Sequence, residues 1–263
     1  MKIKRRPELP GKDDLVIGRR PVLEALRSGS LQQVYLAAGQ KGEIIDQISR
    51  EARSQGLPLE VIPRRELHRL TDGGNHQGVA AQARPFPYLK IEELLEKVYA
   101  LTGAPFLILL DHLQDPQNLG SLMRTAEAAG MDGIIIPQDR SVKITPAVRK
   151  VAAGAAERLP VARVVNLVDA VRQLKKEGFW VYGTAADGPL PYYRADYRVP
   201  FVLVIGSEGK GISRLLRESC DGIISIPMRG PGGSLNAAVA AAVIIYAAAA
   251  QREGWGLGKP ESD

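Results

Sequence analysis

The sequence predicts an α/β protein of two units, with a mostly parallel sheet in the second unit. From Phe106 onward, short apolar runs alternate with longer amphipathic segments, which is the pattern of repeated strand–helix pairs. Pro85, Pro87 and Pro105 separate this region from a smaller α/β unit before it. With 263 residues, 45% of them hydrophobic, the chain can bury a core in each unit.

The first unit is predicted from a run of short elements between residues 14 and 84. Pro21 suits the first turn of a helix and Gly29 its end. A loop rich in glycine, 73–78, precedes the last strand. The predicted order is helix 22–26, strand 34–36, helix 42–54, strand 59–62, basic helix 63–70 and strand 79–81. Residues 1–13 are charged and contain proline, so we expect a flexible basic tail there.

Residues 85–104 are predicted to be a linker that contains one short helix, 91–99, and the second unit is predicted to occupy 105–252. Residues 253–263 are expected to form a tail. The predicted strands are 106–110, 133–136, 161–165, 180–184, 201–205 and 223–226, and the predicted helices are 119–129, 146–152, 168–176 and 237–250. Helices between parallel strands should cover both faces of the sheet.

The charge of the chain favours a polyanionic partner. The formal net charge is +6 and the isoelectric point is near 9.4. Basic residues that neutralise phosphates release counterions, which gives an affinity for nucleic acids that does not depend on sequence. One basic cluster alone is usually a solvated surface, but several together favour RNA or DNA. The clusters of the first unit, and so its expected RNA-binding residues, are Arg19, Arg20, Arg64, Arg65 and Arg69. A further cluster comprises Arg140, Lys143, Arg149 and Lys150.

Several classes of protein are excluded by composition. The longest apolar run, 237–250, is too short and too rich in alanine to span a bilayer, which needs roughly 20 apolar residues. No secretory signal follows the basic N-terminus, so we expect a cytoplasmic protein with no membrane association. Cys220 is the one cysteine, and the three histidines are far apart in sequence, so we expect no disulfide and no metal site.

The loop 111–118 follows a predicted strand and leads directly into a helix. Asn118 is predicted to be the N-cap of this helix. Arg124 shares a helix face with Gly120 and Ser121, whose small size would leave its guanidinium room to reach a ligand. The alternative is that Asn118 only caps the helix and that Arg124 pairs with a surface carboxylate such as Glu127.

Two further polar segments lie near the C-terminus. The turn 206–211 lacks the spacing of a Walker loop and of a dinucleotide-binding loop. Glu208 within it therefore has a separate role, unless the segment is a simple tight turn. Ser234 is predicted to cap the last helix. Asn236 is predicted in the first turn of this alanine-rich helix, where its low helix propensity indicates a polar contact.

Three segments in this order resemble the three motifs of the SpoU (TrmH) family of RNA ribose 2′-O-methyltransferases: 115–126, 206–211, and 226–230 with 234–236. The resemblance covers about residues 105–251. Segments 16–26 and 76–80 resemble the L30e-like substrate-binding domain that precedes it in the RlmB branch, which methylates a guanosine in 23S rRNA. Two departures are the loop 231–233 and the pair Ala237 and Ala238, where the family commonly has other residues.

The resemblance implies a SPOUT-type catalytic domain with a C-terminal trefoil knot, S-adenosylmethionine as cofactor, 23S rRNA as the RNA partner and a homodimer with active sites at its interface. No metal is implied. The implied catalytic residues are Arg124, Asn118, Glu208, Ser234 and Asn236. The implied cofactor-binding residues are Thr184, Gly206, Glu208, Gly211, Ile226, Met228, Ser234 and Leu235. The alternatives are a tRNA guanosine 2′-O-methyltransferase of the same family and an rRNA-binding factor without catalysis.

Overall fold

The chain divides into two compact units, Met1–Phe86 and Pro87–Asp263. The computed structural model describes residues 14–230 and 235–255. The predicted tail 1–13, Ser234 with the loop 231–233, and most of the predicted C-terminal tail lie outside the described residues. No helix in the described ranges is both long and apolar enough to cross a bilayer.

The first unit is a four-stranded sheet with three helices. Its strand order is β1-β4-β2-β3, in which β4 runs antiparallel to both neighbours and β2 pairs in parallel with β3. The elements are β1 Leu15–Ile17, α1 Arg19–Arg27, β2 Leu31–Ala37, α2 Glu43–Ser54, β3 Leu59–Ile62, α3 Arg64–Leu70 and β4 Val79–Ala83. Strand β1 is too short to be seen as a repeating pattern and was not predicted.

Helices α1 and α2 cover one face of this sheet and α3 covers the other. Side chains alternate between the two faces along each strand. Val34 and Leu36 of β2 pack with buried residues of α1 and α2, whereas Tyr35 and Ala37 pack with Leu67 of α3. The exposed sides of the helices therefore form two separate surfaces of this unit.

The second unit has a seven-stranded sheet whose strands are all parallel, in the order β7-β6-β5-β10-β8-β11-β9. Its strands are β5 Phe106–Asp111, β6 Gly133–Pro137, β7 Val161–Val164, β8 Trp180–Thr184, β9 Leu190–Pro191, β10 Phe201–Gly206 and β11 Gly222–Ser225. Its helices are α4 Ile91–Tyr99, α5 Pro116–Ala128, α6 Pro146–Ala152, α7 Ala155–Arg158, α8 Leu167–Lys176, α9 Arg214–Ser219 and α10 Ala237–Glu253. The predicted parallel α/β sheet is confirmed.

The order in which the chain adds strands to this sheet reverses between β5 and β10. From β5 it continues outward through β6 and β7, while β8, β10 and β11 lie on the other side of β5. Open α/β sheets bind ligands at such a point, outside the carboxyl ends of the strands. The end of β5, Asp111, is in register with the end of β10, Gly206. The fold therefore favours a ligand site beside the carboxyl ends of these strands.

Helix α4 belongs to the core of the second unit. Its residues Ile91, Leu94 and Val98 are buried in one cluster with Leu107 and Leu109 of β5, together with side chains of α8. Residues 85–104 were predicted to be a linker. In the structure, the chain is part of the second unit from Pro87 onward. The prolines that indicated a boundary flank a helix whose apolar stripe packs on the sheet. This cluster contains no residue of α5, α6 or α10. These three helices pack elsewhere, with α5 in contact with both α6 and α10.

Candidate active site

A cavity of about 600 Å³ lies at the carboxyl ends of β8, β10 and β11. Its wall includes Thr184 at the end of β8, Gly206 at the end of β10, and Ile224 of β11. The first turns of α10 complete it with Ala237 and Ala240. Cavities of this size, with mostly apolar walls and a few polar groups, are typical of small-molecule and cofactor sites.

The turn after β10 can be built only with glycine at its first position. Ser207 and Gly211 exchange backbone hydrogen bonds, with Ser207 N to Gly211 O at 3.1 Å and Gly211 N to Ser207 O at 2.9 Å. A Cβ at Gly206 would lie 2.1 Å from the carbonyl carbon of Gly211. Gly209 and Gly211 have φ angles of 78° and 66°, which L-residues rarely adopt. The glycines therefore set the shape of this turn, which lines the cavity.

The structure brings most of the predicted cofactor-binding residues to this cavity. Ser234 lies outside the described residues, so its predicted place is not shown. The cavity is lined by Thr184, Gly206, Glu208, Gly211, Ile226, Met228 and Leu235. The Thr184 hydroxyl donates to Val204 O at 2.9 Å, which fixes its side chain against β10.

Sequence reasoning missed an ion pair at this cavity. Asp187, after β8, and Arg217, on α9, both line it. The guanidinium of Arg217 donates to both carboxylate oxygens of Asp187, at 2.9 and 3.0 Å. This contact lowers the pKa of the Asp187 carboxyl. The two residues are 30 apart in sequence, and no motif joins them.

Asn118, Glu208 and Asn236 form one hydrogen-bonded cluster. The side-chain amide of Asn236 donates to Asn118 Oδ1 at 3.0 Å and to Glu208 Oε1 at 2.8 Å. The Asn118 amide also donates to Glu208 Oε1. Three segments that are far apart in sequence are thus joined through side chains. The polar contact predicted from Asn236 in an alanine-rich helix is present, and Glu208 is held by two side-chain amides.

Two predicted helix caps are wrong. Helix α5 is capped by Asp115, whose carboxylate accepts from Gln117 N at 3.1 Å and Asn118 N at 3.3 Å. Asn118 lies within the first turn, because Pro116, directly after Asp115, suits the first position of a helix. Helix α10 is capped by Asn236, whose Oδ1 accepts from Ala238 N and Val239 N. Asn236 is therefore the cap and not a residue of the first turn, so Ser234 does not hold that position.

Arg124 is exposed and has no hydrogen-bonded or ionic partner among the described residues. The alternative partner, Glu127, pairs instead with Arg158 at 2.7 Å. Arg124 does not line the cavity. Gly120 does not serve to make room for it, because a Cβ at Gly120 would lie 2.5 Å from Val151 Cβ of α6. This glycine allows α5 and α6 to pack closely, and the Arg124 guanidinium is left available to a ligand.

Asp111 is a buried carboxylate next to the site that the sequence did not single out. Its side chain is 2% exposed. Asp111 Oδ2 accepts from Ser213 N at 2.6 Å, and Asp111 Oδ1 lies 2.5 Å from His112 Nδ1. Ser213 begins α9 directly after the glycine turn. Asp111 therefore anchors the exit of the turn to the end of β5.

The predicted RNA-binding residues of the first unit differ in their surroundings. The Arg19 guanidinium donates to Gln77 O at 3.0 Å and to Gln40 Oε1 at 3.1 Å, so it holds the loop before β4. Arg20, Arg64, Arg65 and Arg69 are exposed. Arg19 therefore makes contacts inside the first unit. Its position beside Arg20 in the sequence did not indicate these contacts.

The loop before β4 is held by a buried histidine. His76 is 5% exposed, and its Nδ1 accepts from Gly78 N at 3.0 Å. Burial, with the charges of Arg64 and His68 nearby, lowers the pKa of His76. The lowered pKa favours the neutral ring, in which Nδ1 can accept this hydrogen bond. Within the described ranges, no three His, Cys, Asp or Glu side chains cluster as a metal site would require.

Comparisons with known proteins give one consistent result. The sequence model of the SpoU rRNA methylase family matches residues 105–246, and a model described as RNA 2′-O ribose methyltransferase substrate binding matches residues 15–89. An uncharacterized tRNA/rRNA methyltransferase of Synechocystis sp. is 43% identical over 91% of this chain, and the chain spans 63% of that relative's length. The TrmH-family protein YacO of Bacillus subtilis, to which a tRNA/rRNA methyltransferase activity is ascribed, is 42% identical over 89% of this chain and 94% of its own.

Solved structures agree with the sequence matches. The SpoU methyltransferase AviRb from Streptomyces viridochromogenes, crystallised with the cofactor AdoMet, has a TM-score of 0.64 and 26% identity, over 91% of this chain and 90% of its own. A TrmH/SpoU tRNA-modifying enzyme from A. aeolicus has a TM-score of 0.53 and 27% identity, over 63% of this chain and 86% of its own.

Proposed function

Since this chain belongs to the SpoU family of RNA methyltransferases, we propose that it is a cytoplasmic enzyme that methylates the 2′-hydroxyl of a ribose in 23S rRNA, with S-adenosylmethionine as the methyl donor. The modified nucleoside is proposed to be guanosine, as in the RlmB branch that the sequence resembles. The single observation that carries this proposal is the cluster of Asn118, Glu208 and Asn236, of which Glu208 and Asn236 line the cavity.

The cavity suits a cofactor that contains a nucleoside and a positively charged group. Its wall is apolar at Ile205, Ile224 and Ile244, which suits an adenine ring. The glycine turn, with Gly206, Gly209 and Gly211, forms part of its wall. The carboxylate of Glu208 suits a cationic neighbour. By family resemblance, we propose that the chain around this cavity forms a trefoil knot.

When bound, S-adenosylmethionine would supply an activated methyl group at its sulfonium. The protein must hold a ribose hydroxyl in line with that methyl group and assist the loss of its proton, since the hydroxyl is a weak acid. Asn118 and Asn236 are fixed by their mutual contacts, and Asn236 is also fixed by the backbone of α10. These amides are proposed to orient the ribose, while Glu208 orders the glycine turn.

Arg124 is proposed to bind the phosphate next to the reacting ribose. A guanidinium stays charged at neutral pH and is a poor general base, but it forms bidentate contacts with phosphate. Its charge would lower the cost of forming an alkoxide, with phosphate or water taking the proton. The lack of a protein partner for Arg124 among the described residues and its absence from the cavity wall support a role toward RNA.

Calorimetric titration tests the cofactor assignment. We expect S-adenosylmethionine to bind at one site per chain, which would exclude the alternative of an rRNA-binding factor that has lost the cofactor. A chain that binds RNA but gives no heat with S-adenosylmethionine would contradict the proposed enzyme. The second alternative, a tRNA guanosine, is tested by mapping methylated riboses on both RNAs.

Replacing Arg64, Arg65 and Arg69 of α3 with glutamine is expected to weaken RNA binding. Each lost phosphate contact should also make the dependence of log K on log salt shallower, by about 0.7 to 0.9. The affinity for S-adenosylmethionine should not change. Filter binding to rRNA over a range of salt concentrations measures both quantities.

A matched control lies on the other face of the same sheet. Arg27, Arg50 and Arg53 belong to α1 and α2, which pack on the face opposite to α3. Their replacement with glutamine changes the charge equally. If both triple variants lost the same affinity, α3 would not be a specific RNA-binding surface.

Tyr246, on the exposed side of α10, is expected to support a homodimer. Val239 and Tyr246 are 50% and 45% exposed, and small alanines beside them permit close packing. An apolar stripe of this kind typically marks an interface. Tyr246→Glu should therefore shift the protein from dimer to monomer at micromolar concentration in sedimentation velocity. Val61→Glu, which changes an exposed side chain of the first unit, should not. A wild-type monomer would contradict the proposed shared active site.

A further inference from the structure

A basic surface on the second unit lies beside the proposed active site. It consists of Arg124 on α5, Arg140 and Lys143 in the loop after β6, and Arg149 and Lys150 on α6. Arg149 is half-buried and the other four are exposed. We call this set the α6 basic surface. Except for Arg124, its members have no part in the proposed chemistry.

The elements that carry these cations pack directly on the start of α5. Helix α6 approaches so closely that a Cβ at Gly120 would lie 3.0 Å from Val148 O. The loop after β6 is joined to the segment before α5, because Val142 N donates to Leu113 O at 2.8 Å and Ser141 Oγ to the same oxygen at 3.2 Å. The same start of α5 holds Asn118, so the surface adjoins the proposed site.

The surface is held in place without a ligand. Ile144 N donates to the Tyr88 hydroxyl at 2.7 Å. The Thr145 side chain caps α6 by accepting from Val148 N. Because the backbone that carries the cations is already ordered, binding a ligand there costs less conformational entropy.

The sequence of this segment is rich in cations. Between residues 138 and 150 there are four cations and one carboxylate, Asp139. The nearby carboxylate of Glu127 on α5 is neutralised by Arg158 at 2.7 Å. Closely spaced cations suit a chain of phosphates, since each neutralised phosphate releases counterions.

We propose that the α6 basic surface binds the phosphates of the substrate RNA that flank the modified nucleotide. This inference rests on the proposed function, because it names the path of the RNA over the catalytic unit. Arg124 is on α5, the helix whose first turn carries Asn118. The remaining cations hold the adjoining strand and position the ribose indirectly.

The test reverses two charges of the surface in the full-length chain. Lys143→Glu combined with Lys150→Glu is compared with Lys97→Glu combined with Lys176→Glu. The control lysines are on α4 and α8, which pack together in one core cluster to which α5 and α6 contribute nothing. The probe is a fluorescent single-stranded RNA of about 20 nucleotides and mixed sequence, titrated by anisotropy at several salt concentrations.

The surface variant is expected to bind this RNA at least about tenfold more weakly than the control. Its salt slope should be shallower by about 1.4, which corresponds to two lost contacts with single-stranded RNA. The affinity for S-adenosylmethionine should be unchanged in both variants. Equal RNA binding by the two variants would overturn the proposal and indicate that the surface serves another partner.

Failure of this inference can be distinguished from failure of the proposed function. If wild-type protein transferred methyl groups to RNA and the surface variant behaved as the control, only the RNA path would be wrong. If wild-type protein transferred none while the surface variant still bound RNA more weakly, the surface would stand as an RNA site and the proposed enzyme would be wrong.

Discussion

Replacing Arg124 with alanine is expected to reduce the single-turnover rate of methyl transfer by about a hundredfold or more. The variant loses a charge-assisted contact to phosphate that is worth about 3 kcal/mol in the transition state. The affinity for S-adenosylmethionine should be nearly unchanged, because Arg124 is not part of the cavity wall. The measurement is the single-turnover rate with saturating cofactor and RNA.

Arg124→Lys should rescue little of this loss. An ammonium is a point charge and cannot form the bidentate contact of a guanidinium. Near-normal turnover by the alanine variant would contradict the proposed mechanism. A large loss of cofactor affinity would instead make Arg124 part of the cofactor site, which its position on α5 argues against.

Gly206→Ala is expected to abolish or strongly weaken cofactor binding. The added methyl carbon would lie 2.1 Å from the Gly211 carbonyl carbon and 2.3 Å from Ile212 N, so the backbone turn itself must move. Overpacking of this kind costs about 1–3 kcal/mol, which corresponds to roughly fivefold to 150-fold in affinity if the strain falls on the turn. Calorimetric titration with S-adenosylmethionine measures the loss.

Gly230→Ala is the control for this substitution. Gly230 lies two residues after Met228 in the third motif, and no atom of the described residues lies within 4 Å of a Cβ placed there. This variant should bind the cofactor as the wild type does, and both variants should be checked for folding by thermal melting. Unchanged affinity in a folded Gly206→Ala protein would mean that the turn is not the cofactor-binding segment.

The sequence was sufficient to predict a mostly parallel sheet and a polar contact for Asn236. The parallel strands follow from apolar runs that alternate with amphipathic helices, and the carboxyl ends of such strands meet at one edge. Asn236 stood out because asparagine is unfavourable in an alanine-rich helix. Its contacts with Asn118 and Glu208 account for it.

The remaining features depend on tertiary contacts that leave little local pattern. Asp115 and Asn118 are both good caps, and Pro116 decides between them only when its place in the helix is known. The linker was overestimated because α4 is bounded by prolines although it packs on the sheet. Asp111, and the pair of Asp187 and Arg217, are tied to partners far away in sequence.

The central claim is tested most directly by mapping ribose 2′-O-methyl groups after incubating the protein with S-adenosylmethionine and RNA lacking the modification. Riboses that carry this group resist alkaline cleavage, so each modified position can be read in 23S rRNA and in tRNA. We predict one new resistant position, at a guanosine of 23S rRNA, that requires the cofactor and is absent with Arg124→Ala. No new 2′-O-methyl group in any RNA, although the protein binds S-adenosylmethionine, would contradict the account.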